Sequence, residues 1–119
     1  MQLGKLVSDD RVIAEPVEYA TALFERLKGL LGRNGLSKST AMIIEHCGSV
    51  HTIGMRFALD LIFLDKEWRV LSIKRNINPG RPMISGGLRA KRVIESQTGA
   101  LDMEDFQIGH KLVLELLDG

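Results

Sequence analysis

The chain has 119 residues, of which 45% are hydrophobic and 26% are charged, values typical of a globular domain and incompatible with disorder. Its sixteen basic and fifteen acidic side chains leave a net charge of +1, so no global field draws it to nucleic acid or to an anionic membrane. The single cysteine, Cys47, excludes an intramolecular disulfide and a paired-cysteine zinc site. We expect one domain spanning residues 1–119.

The first residues lack the basic and apolar regions of a secretory signal, and no apolar run reaches the length of a transmembrane helix. These features predict a cytoplasmic protein that does not bind a membrane. The best-marked motifs of nucleotide-binding proteins, serine hydrolases and zinc proteases do not occur. The sequence therefore predicts no cofactor and leaves catalysis uncertain, with a non-catalytic role favoured.

In chain order, the first predicted element is a β-hairpin at residues 5–14, because apolar pairs flank the polar turn Ser8-Asp9-Asp10. Pro16 is expected to interrupt the strand that precedes it. From Thr21 the apolar residues recur with the period of an amphipathic helix. This period predicts one main helix at about residues 21–31.

The remaining segments predict short strands and a long loop. Residues 57–64 are apolar on both strand faces except at Asp60, as in a central strand covered on both sides. Other predicted strands are 41–44, 68–74, 93–94 and 111–117, with a surface loop at 76–90 and a short helical or irregular turn at 101–106. The expected fold class is α+β, mainly antiparallel sheet curled into a small barrel-like domain, with the main helix at about 21–31.

Several stretches match one known pattern. The central one is Cys47-Gly48-Ser49-Val50-His51-Thr52, followed by Met55-Arg56-Phe57, Leu59-Asp60 and Phe63-Leu64-Asp65. The others are Gly29-Leu30-Leu31-Gly32-Arg33, Pro79-Gly80-Arg81, Val93-Ile94-Glu95 with Gly99, and Gly109. Together they resemble the domain of unknown function 192 (DUF192) family over nearly the whole chain from Thr21 onward. The resemblance implies a compact, mostly β, barrel-like domain and no established activity.

Three positions depart from the family pattern. Gly80 stands where the family has Trp, His110 stands where it has Asp, and Ser96-Gln97 replaces a typical Leu-Pro. If the replaced Trp or Asp takes part in the family's function, the site of this chain is expected to be weakened or altered.

Cys47, His51 and Met55 are spaced four residues apart, and their sulfur and imidazole groups suit a soft metal such as Cu(I). The outer two would lie about 26 Å apart in a strand and about 12 Å apart in a helix, so only a sharp turn at Gly48 or Gly54 could gather all three around one ion. His46 and His51 are an alternative pair of ligands. A nucleophilic Cys47–His51 pair, oriented by Asp60 or Glu95, is the catalytic alternative. We expect instead no metal, a buried cysteine, a packed methionine and a hydrogen-bonded histidine.

Asp60 is a carboxylate within an apolar strand, where a charge is costly unless it is paired or accepts several hydrogen bonds. Its candidate partners are Arg33, Arg56, Arg81 and the backbone amides of the loops. We expect a structural role in which Asp60 and Glu95 hold arginines in place. A carboxylate that faces a ligand is the alternative.

Charge is unevenly spread along the chain. Residues 74–92 contain six basic and no acidic side chains, so this basic segment carries +6 and the remainder of the +1 chain carries −5. A solvated loop is the simplest interpretation, and contact with a phosphate, a carboxylate or an acidic partner is the functional one. Nucleic acid is disfavoured because the segment has no aromatic side chain on which bases could stack.

The favoured function is a non-catalytic binding or accessory module whose arginine-containing site, around the 47–56 signature loop, takes a polar or anionic ligand or partner. The candidate residues are Arg33, Cys47, His51, Met55, Arg56, Asp60, Arg81 and Glu95. One alternative is a small enzyme that uses Cys47 or His51 in nucleophilic or acid–base chemistry. The other is an interaction subunit that docks an acidic protein surface through the basic segment.

Overall fold

Nine β-strands and one short 3-10 turn make up the computed structural model, which describes residues 2–21 and 40–117. The strands are β1 (Gln2–Ser8), β2 (Arg11–Ala20), β3 (Ala41–Glu45), β4 (Ser49–Val50), β5 (Leu59–Leu64), β6 (Val70–Ile77), β7 (Ile84–Ser85), β8 (Arg92–Gln97) and β9 (Val113–Leu116). The 3-10 turn, η1, spans Met103–Asp105.

Seven strands form one sheet in the order β6-β5-β8-β3-β2-β1-β9, and β4 pairs with β7 in a separate two-stranded sheet. Neighbouring strands are antiparallel except for β2 and β3, which are parallel. Parallel neighbours cannot be joined by a tight turn and need a crossover connection. That connection runs through residues 22–39, which lie outside the described part of the chain.

The predicted α+β class is wrong. The described residues are nearly all β, and η1 is the only helical element among them. The predicted main helix at about 21–31 lies outside the described residues, apart from Thr21, which belongs to no regular element. The α+β class was predicted from one periodic segment, residues 21–31, whereas strands form the core of the described residues.

The predicted barrel is also wrong, because the sheet is open. Strands β6 and β9 lie at its two ends, and no ladder joins them. The two ends approach each other at the start of β6, where Arg69 forms an isolated bridge with Lys111 and Val70 exchanges backbone hydrogen bonds with His110 and Gly109. Leu101, Met103 and Phe106 from the turn around η1 pack into the apolar cluster on one side of the sheet. In a closed barrel the apolar side chains of this side would face the interior. In the open sheet, the three side chains around η1 cover them instead.

The predicted N-terminal hairpin is confirmed, with longer strands than expected. Its turn residues Asp9 and Asp10 both have positive φ, as a two-residue type I′ hairpin turn requires. Strand β2 continues through Pro16, contrary to the prediction. The register shifts there, so that Lys5 of β1 faces two residues of β2, and a bulge tolerates proline because it needs no ladder hydrogen bond at that position.

The predicted central strand is confirmed as β5, all six residues of which are buried. Because alternate residues of a strand face opposite sides, β3, β5 and β8 bury apolar side chains on both sides of the sheet. We call one side the turn side, since Leu101, Met103 and Phe106 pack there. The other is the ribbon side, where Ile84 and Val50 of the two-stranded sheet pack.

The other predicted strands occur with shifted ends, as β3, β6, β8 and β9, and the predicted loop at 76–90 contains the short strand β7. The turn predicted at 101–106 contains η1. Among the described residues, no helix is long and apolar enough to cross a membrane.

Candidate functional site

Thr52 joins the signature loop to the loop that carries Arg81. Its side chain is fully buried, and its hydroxyl donates to the carbonyl of Asn78 and accepts from the amide of Arg81, both at 2.8 Å. Its backbone amide donates to the Arg81 carbonyl, and its carbonyl accepts from the Gly80 amide, also at 2.8 Å. Gly80 has a φ of +91°, a conformation that side-chain-bearing residues rarely adopt. These bonds fix the backbone of Arg81 beside the signature loop.

A two-stranded ribbon, residues 48–52 and 81–86, surrounds this joint. Its antiparallel pairs are Ser49 with Ser85 and Val50 with Ile84, and the amide of Gly86 donates to the carbonyl of Gly48. Val50 and Ile84 pack towards the ribbon side of the main sheet. The residues on either side of Val50 and Ile84 are exposed, as are Arg81 and Ile53, and we call this exposed set the outward face: Ser49, His51, Ile53, Arg81, Met83 and Ser85.

The predicted residues of the signature loop fall into two environments. Cys47 and Met55 are half-buried and pack against the apolar cluster of the ribbon side. His51 and Arg56 are exposed. The Cys47 thiol donates to the carbonyl of Ser49 at 3.0 Å. The structure therefore brings Cys47 and Met55 to the core and presents His51, with Arg81, to solvent.

Asp60 lies on the turn side and is buried, as predicted, but its hydrogen bonds are not with arginine. One carboxylate oxygen accepts from the amide of Asn76 at 2.8 Å and from the hydroxyl of Thr98 at 3.3 Å. The other oxygen accepts from the amide of Gly99 at 3.4 Å. No arginine among the described residues pairs with Asp60, and Arg33 lies outside them. Asp60 thus joins β6 to the turn that follows β8.

Glu95 lies on the ribbon side of β8, opposite Met42 of β3 and Leu61 of β5. Only 6% of its surface is exposed, and this burial raises the pKa of the carboxyl to about 7. The shift arises from the loss of hydration, with no contribution from a charged neighbour. The expectation that Glu95 holds an arginine in place has no support from the described residues.

The sequence interpretation missed a polar cluster at the base of the ribbon. Glu45, the last residue of β3, pairs across the sheet with Arg92, the first residue of β8, and their side chains form an ion pair at 2.7 Å. Tyr19 donates to the second oxygen of Glu45 at 2.5 Å, and burial together with this contact raises the pKa of Tyr19 to about 12. The Arg92 guanidinium lies 4.3 Å from the ring centre of Trp68 and donates to the Asp65 carbonyl.

This cluster clamps the two chain segments that lead into the ribbon. β3 continues from Glu45 through Cys47 into β4, and the chain returns from β7 to Arg92 of β8. The amide of Cys47 also donates to the carbonyl of Lys91. One signal in the sequence could have revealed the pair, because Glu45 and Arg92 each adjoin a run of apolar residues that the sequence already assigned to buried strands.

An open groove of about 370 Å³ lies elsewhere, lined by Ile73, Arg75, Asp102, Met103 and Glu104. None of the predicted site residues within the described ranges lines it. Among the described residues, no three His, Cys, Asp or Glu side chains come together as a set that could hold a metal ion.

One curated protein is similar to this chain over most of its length. It is a UPF0127 protein from Thermococcus sibiricus, 29% identical over 104 residues that cover 84% of this chain and 66% of the relative. The chain thus spans just under two thirds of that relative's length.

Two crystal structures share the fold. The first, a protein of unknown function from Novosphingobium aromaticivorans, has a TM-score of 0.76 and 21% identity, covering 93% of this chain and 83% of the other. The second, a candidate transcription regulator from Sinorhizobium meliloti, has a TM-score of 0.74 and 19% identity, covering 95% of this chain and 92% of the other. At these identities the likeness concerns the fold alone. The DUF192 profile, described as "Uncharacterized ACR", matches residues 5–114, and the chain therefore belongs to the DUF192 family.

Proposed function

We propose that the chain is a non-catalytic binding module and that the outward face of the ribbon is its binding surface. The observation that carries this proposal is the set of hydrogen bonds around Thr52. Through them two segments that are far apart in the sequence meet, with the exposed residues His51 and Arg81 at the joint. Because the backbone of Arg81 is already held in place, less conformational entropy is lost when a partner binds.

The chemistry of this surface favours a negatively charged group. An arginine guanidinium offers several N–H donors in a planar fork that matches a carboxylate or a phosphate. Within the described residues, Arg92 is the only member of the basic segment that forms an ion pair. The guanidinium of Arg81 is exposed and therefore accessible to an incoming anion.

An amide-resolved NMR titration tests this proposal, with sodium phosphate, sodium succinate and polyglutamate as probes. We expect the amides of residues 47–56 and 78–86 to shift with at least one probe, and the shifts to weaken in Arg81→Gln. The matched control is Arg69→Gln, an exposed arginine outside the ribbon that pairs with Glu67. Absence of shifts in the ribbon, or equal shifts in the parent and in Arg81→Gln, would contradict the proposal.

A small enzyme that uses Cys47 or His51 is the competing function. A nucleophilic cysteine needs its thiolate beside a base, whereas the half-buried thiol of Cys47 donates to a backbone carbonyl. We therefore expect iodoacetamide to alkylate Cys47 slowly at neutral pH and rapidly only after unfolding. Fast alkylation of the folded protein would favour the enzyme.

A further inference from the structure

Three large aliphatic side chains are exposed on and beside the ribbon. Ile53 and Met83 belong to the outward face and are 52% and 68% exposed, and Leu88, in the turn that follows β7, is 99% exposed. Single exposed aliphatic residues are ordinary on a protein surface, whereas a contiguous apolar patch marks an interaction site. Ile53 and Met83 lie on the two segments of the ribbon, and Leu88 lies in the turn that continues from the second segment.

The turn that carries Leu88 is well anchored despite its exposure. The hypothetical Cβ of an alanine at position 86 would lie 2.3 Å from the ring of Phe63, so the backbone of Gly86 packs directly on the core. The amide of Gly87 donates to the hydroxyl of Ser85, and the amide of Ala90 donates to the carbonyl of Gly87. Leu88 therefore projects from a fixed turn.

Positive charge surrounds these aliphatic side chains. Arg81 lies on the outward face, and Arg89 and Lys91 flank the turn that carries Leu88. All three are exposed, and none pairs with an acidic side chain of the described residues. Residues 74–92 contain no Asp or Glu, so every charged side chain that this segment itself supplies is positive.

We infer that the outward face, together with residues 87–89, docks a segment of a partner protein that carries both aliphatic and acidic side chains. This inference rests on the binding role proposed above and names the class of its partner. A small anion would satisfy the guanidinium and leave Met83 and Leu88 in water. A protein segment can bury both, and methionine and arginine are enriched at the centre of protein interfaces, where methionine adapts to the shape of its partner.

Selection of short random peptides on the immobilised full chain tests the inference. We expect the enriched peptides to carry net negative charge and at least one aliphatic side chain. Their affinity, measured by fluorescence anisotropy, should fall about tenfold in the double variant Met83→Ser/Leu88→Ser. Because both positions are exposed, this variant should unfold thermally as the parent does. The matched control, Val12→Ser/Ile108→Ser, replaces aliphatic residues that are 42% and 62% exposed elsewhere and should leave the affinity unchanged.

Enrichment of peptides without negative charge, equal affinity for the parent and the double variant, or no enrichment would each overturn the inference. If polyglutamate still shifts the amides of the ribbon in those cases, the binding module survives and only the class of partner is wrong. Tighter binding to vesicles containing phosphatidylserine than to the peptides would replace the protein segment with a membrane. Dimerisation that the double variant abolishes would replace it with a second copy of the chain.

Discussion

The two sides of the central strands bury a glutamate in opposite ways. Glu45 on the turn side and Glu95 on the ribbon side are equally inaccessible, each with 6% of its surface exposed. Glu45 receives the guanidinium of Arg92 and the hydroxyl of Tyr19. Glu95 instead lies between Met42 and Leu61, and its pKa rises to about 7. Burial alone therefore does not determine the protonation state of a carboxyl group. The hydrogen-bond and ion-pair partners around the group also determine it.

This difference assigns the two glutamates different roles. The paired charge of Glu45 specifies how β3 and β8 meet at the base of the ribbon. Glu95 lies on the side of the sheet against which the ribbon packs, and burial there makes the ionisation of its carboxyl unfavourable. We therefore expect the stability of the protein to fall when the partner of Glu45 is removed on the turn side, and to depend on pH through Glu95 on the ribbon side.

The largest effect should come from breaking the ion pair. Arg92→Ala takes this cation away from the buried Glu45 and removes the contact with the Trp68 ring, so it should lower the free energy of unfolding by about 3–5 kcal/mol. Chemical denaturation at neutral pH measures this loss. Arg69→Ala, which breaks an exposed pair with Glu67, should cost less than about 1 kcal/mol. Equal losses in the two variants would show that the buried pair is not special.

The next effect concerns Glu95 and depends on pH. The pKa of its carboxyl is 4.5 when unfolded and about 7 when folded, so the folded state keeps its proton over this interval. The contribution of Glu95 to the free energy of unfolding should therefore fall as pH rises from 4.5 to about 7 and stay reduced above it. The full change is about 3 kcal/mol, because each tenfold change in the ionisation equilibrium corresponds to about 1.4 kcal/mol.

Glu95→Gln removes this titration, so the difference in unfolding free energy between variant and parent should move by about 3 kcal/mol in the variant's favour between acidic and mildly alkaline pH. Comparing the two proteins at each pH cancels the titration of all other groups. A difference between Glu95→Gln and the parent that stays constant with pH would mean that Glu95 remains charged in the fold.

The sequence predicted those features that neighbouring residues determine. The two-sided apolar pattern of residues 57–64 gave the central strand β5, and the turn Ser8-Asp9-Asp10 gave the first hairpin. The ribbon was missed because Ser49–Val50 and Ile84–Ser85 are two residues long and show no period. Such short strands are stabilised by contacts between distant segments, which the sequence pattern does not contain.

The candidate site stays a prediction, and only part of its geometry could be expected from the sequence, for the same reason. The sequence assigned the segment 47–56 and Arg81 to one candidate site, but it did not show that Thr52 joins them. Glu45 and Arg92 escaped notice because 47 residues separate them in the chain. Asp60 was correctly predicted to be buried, yet arginine was favoured as its partner although backbone amides satisfy a carboxylate equally well. The class was wrong because it rested on a helix period at 21–31, outside the described residues.

A smaller effect is expected at Asp60, whose carboxylate accepts from two amides and one hydroxyl. Asp60→Ala leaves these donors without an acceptor and should cost about 2–3 kcal/mol. Asp60→Asn keeps the shape and one acceptor and should cost less. Denaturation of both variants at neutral pH measures the losses. If Asp60→Ala is as stable as the parent, the carboxylate does not join β6 to the turn after β8.

The smallest change in stability, with a local consequence, is expected for Thr52→Val. Valine has nearly the same shape but lacks the hydroxyl that accepts from the amide of Arg81 and donates to the carbonyl of Asn78. Two backbone hydrogen bonds between residues 52 and 80–81 remain, so the loss in unfolding free energy should be only about 1 kcal/mol. The amide of Arg81 loses its acceptor, however, and its hydrogen exchange should accelerate much more than that of Ile62 in β5.

Thr52→Ser restores the hydroxyl and should return the exchange of the Arg81 amide towards the parent rate. Thr52→Val and Thr52→Ser also separate the effect of the position of Arg81 from the effect of its charge, because both variants keep the Arg81 guanidinium. If the fixed position matters, polyglutamate should bind Thr52→Val more weakly than Thr52→Ser. The contrary outcome is equal polyglutamate binding by the two variants, with faster exchange of the Arg81 amide in Thr52→Val alone. It would mean that binding depends on the charge of Arg81 and not on its fixed position, and that Thr52 only stabilises the ribbon.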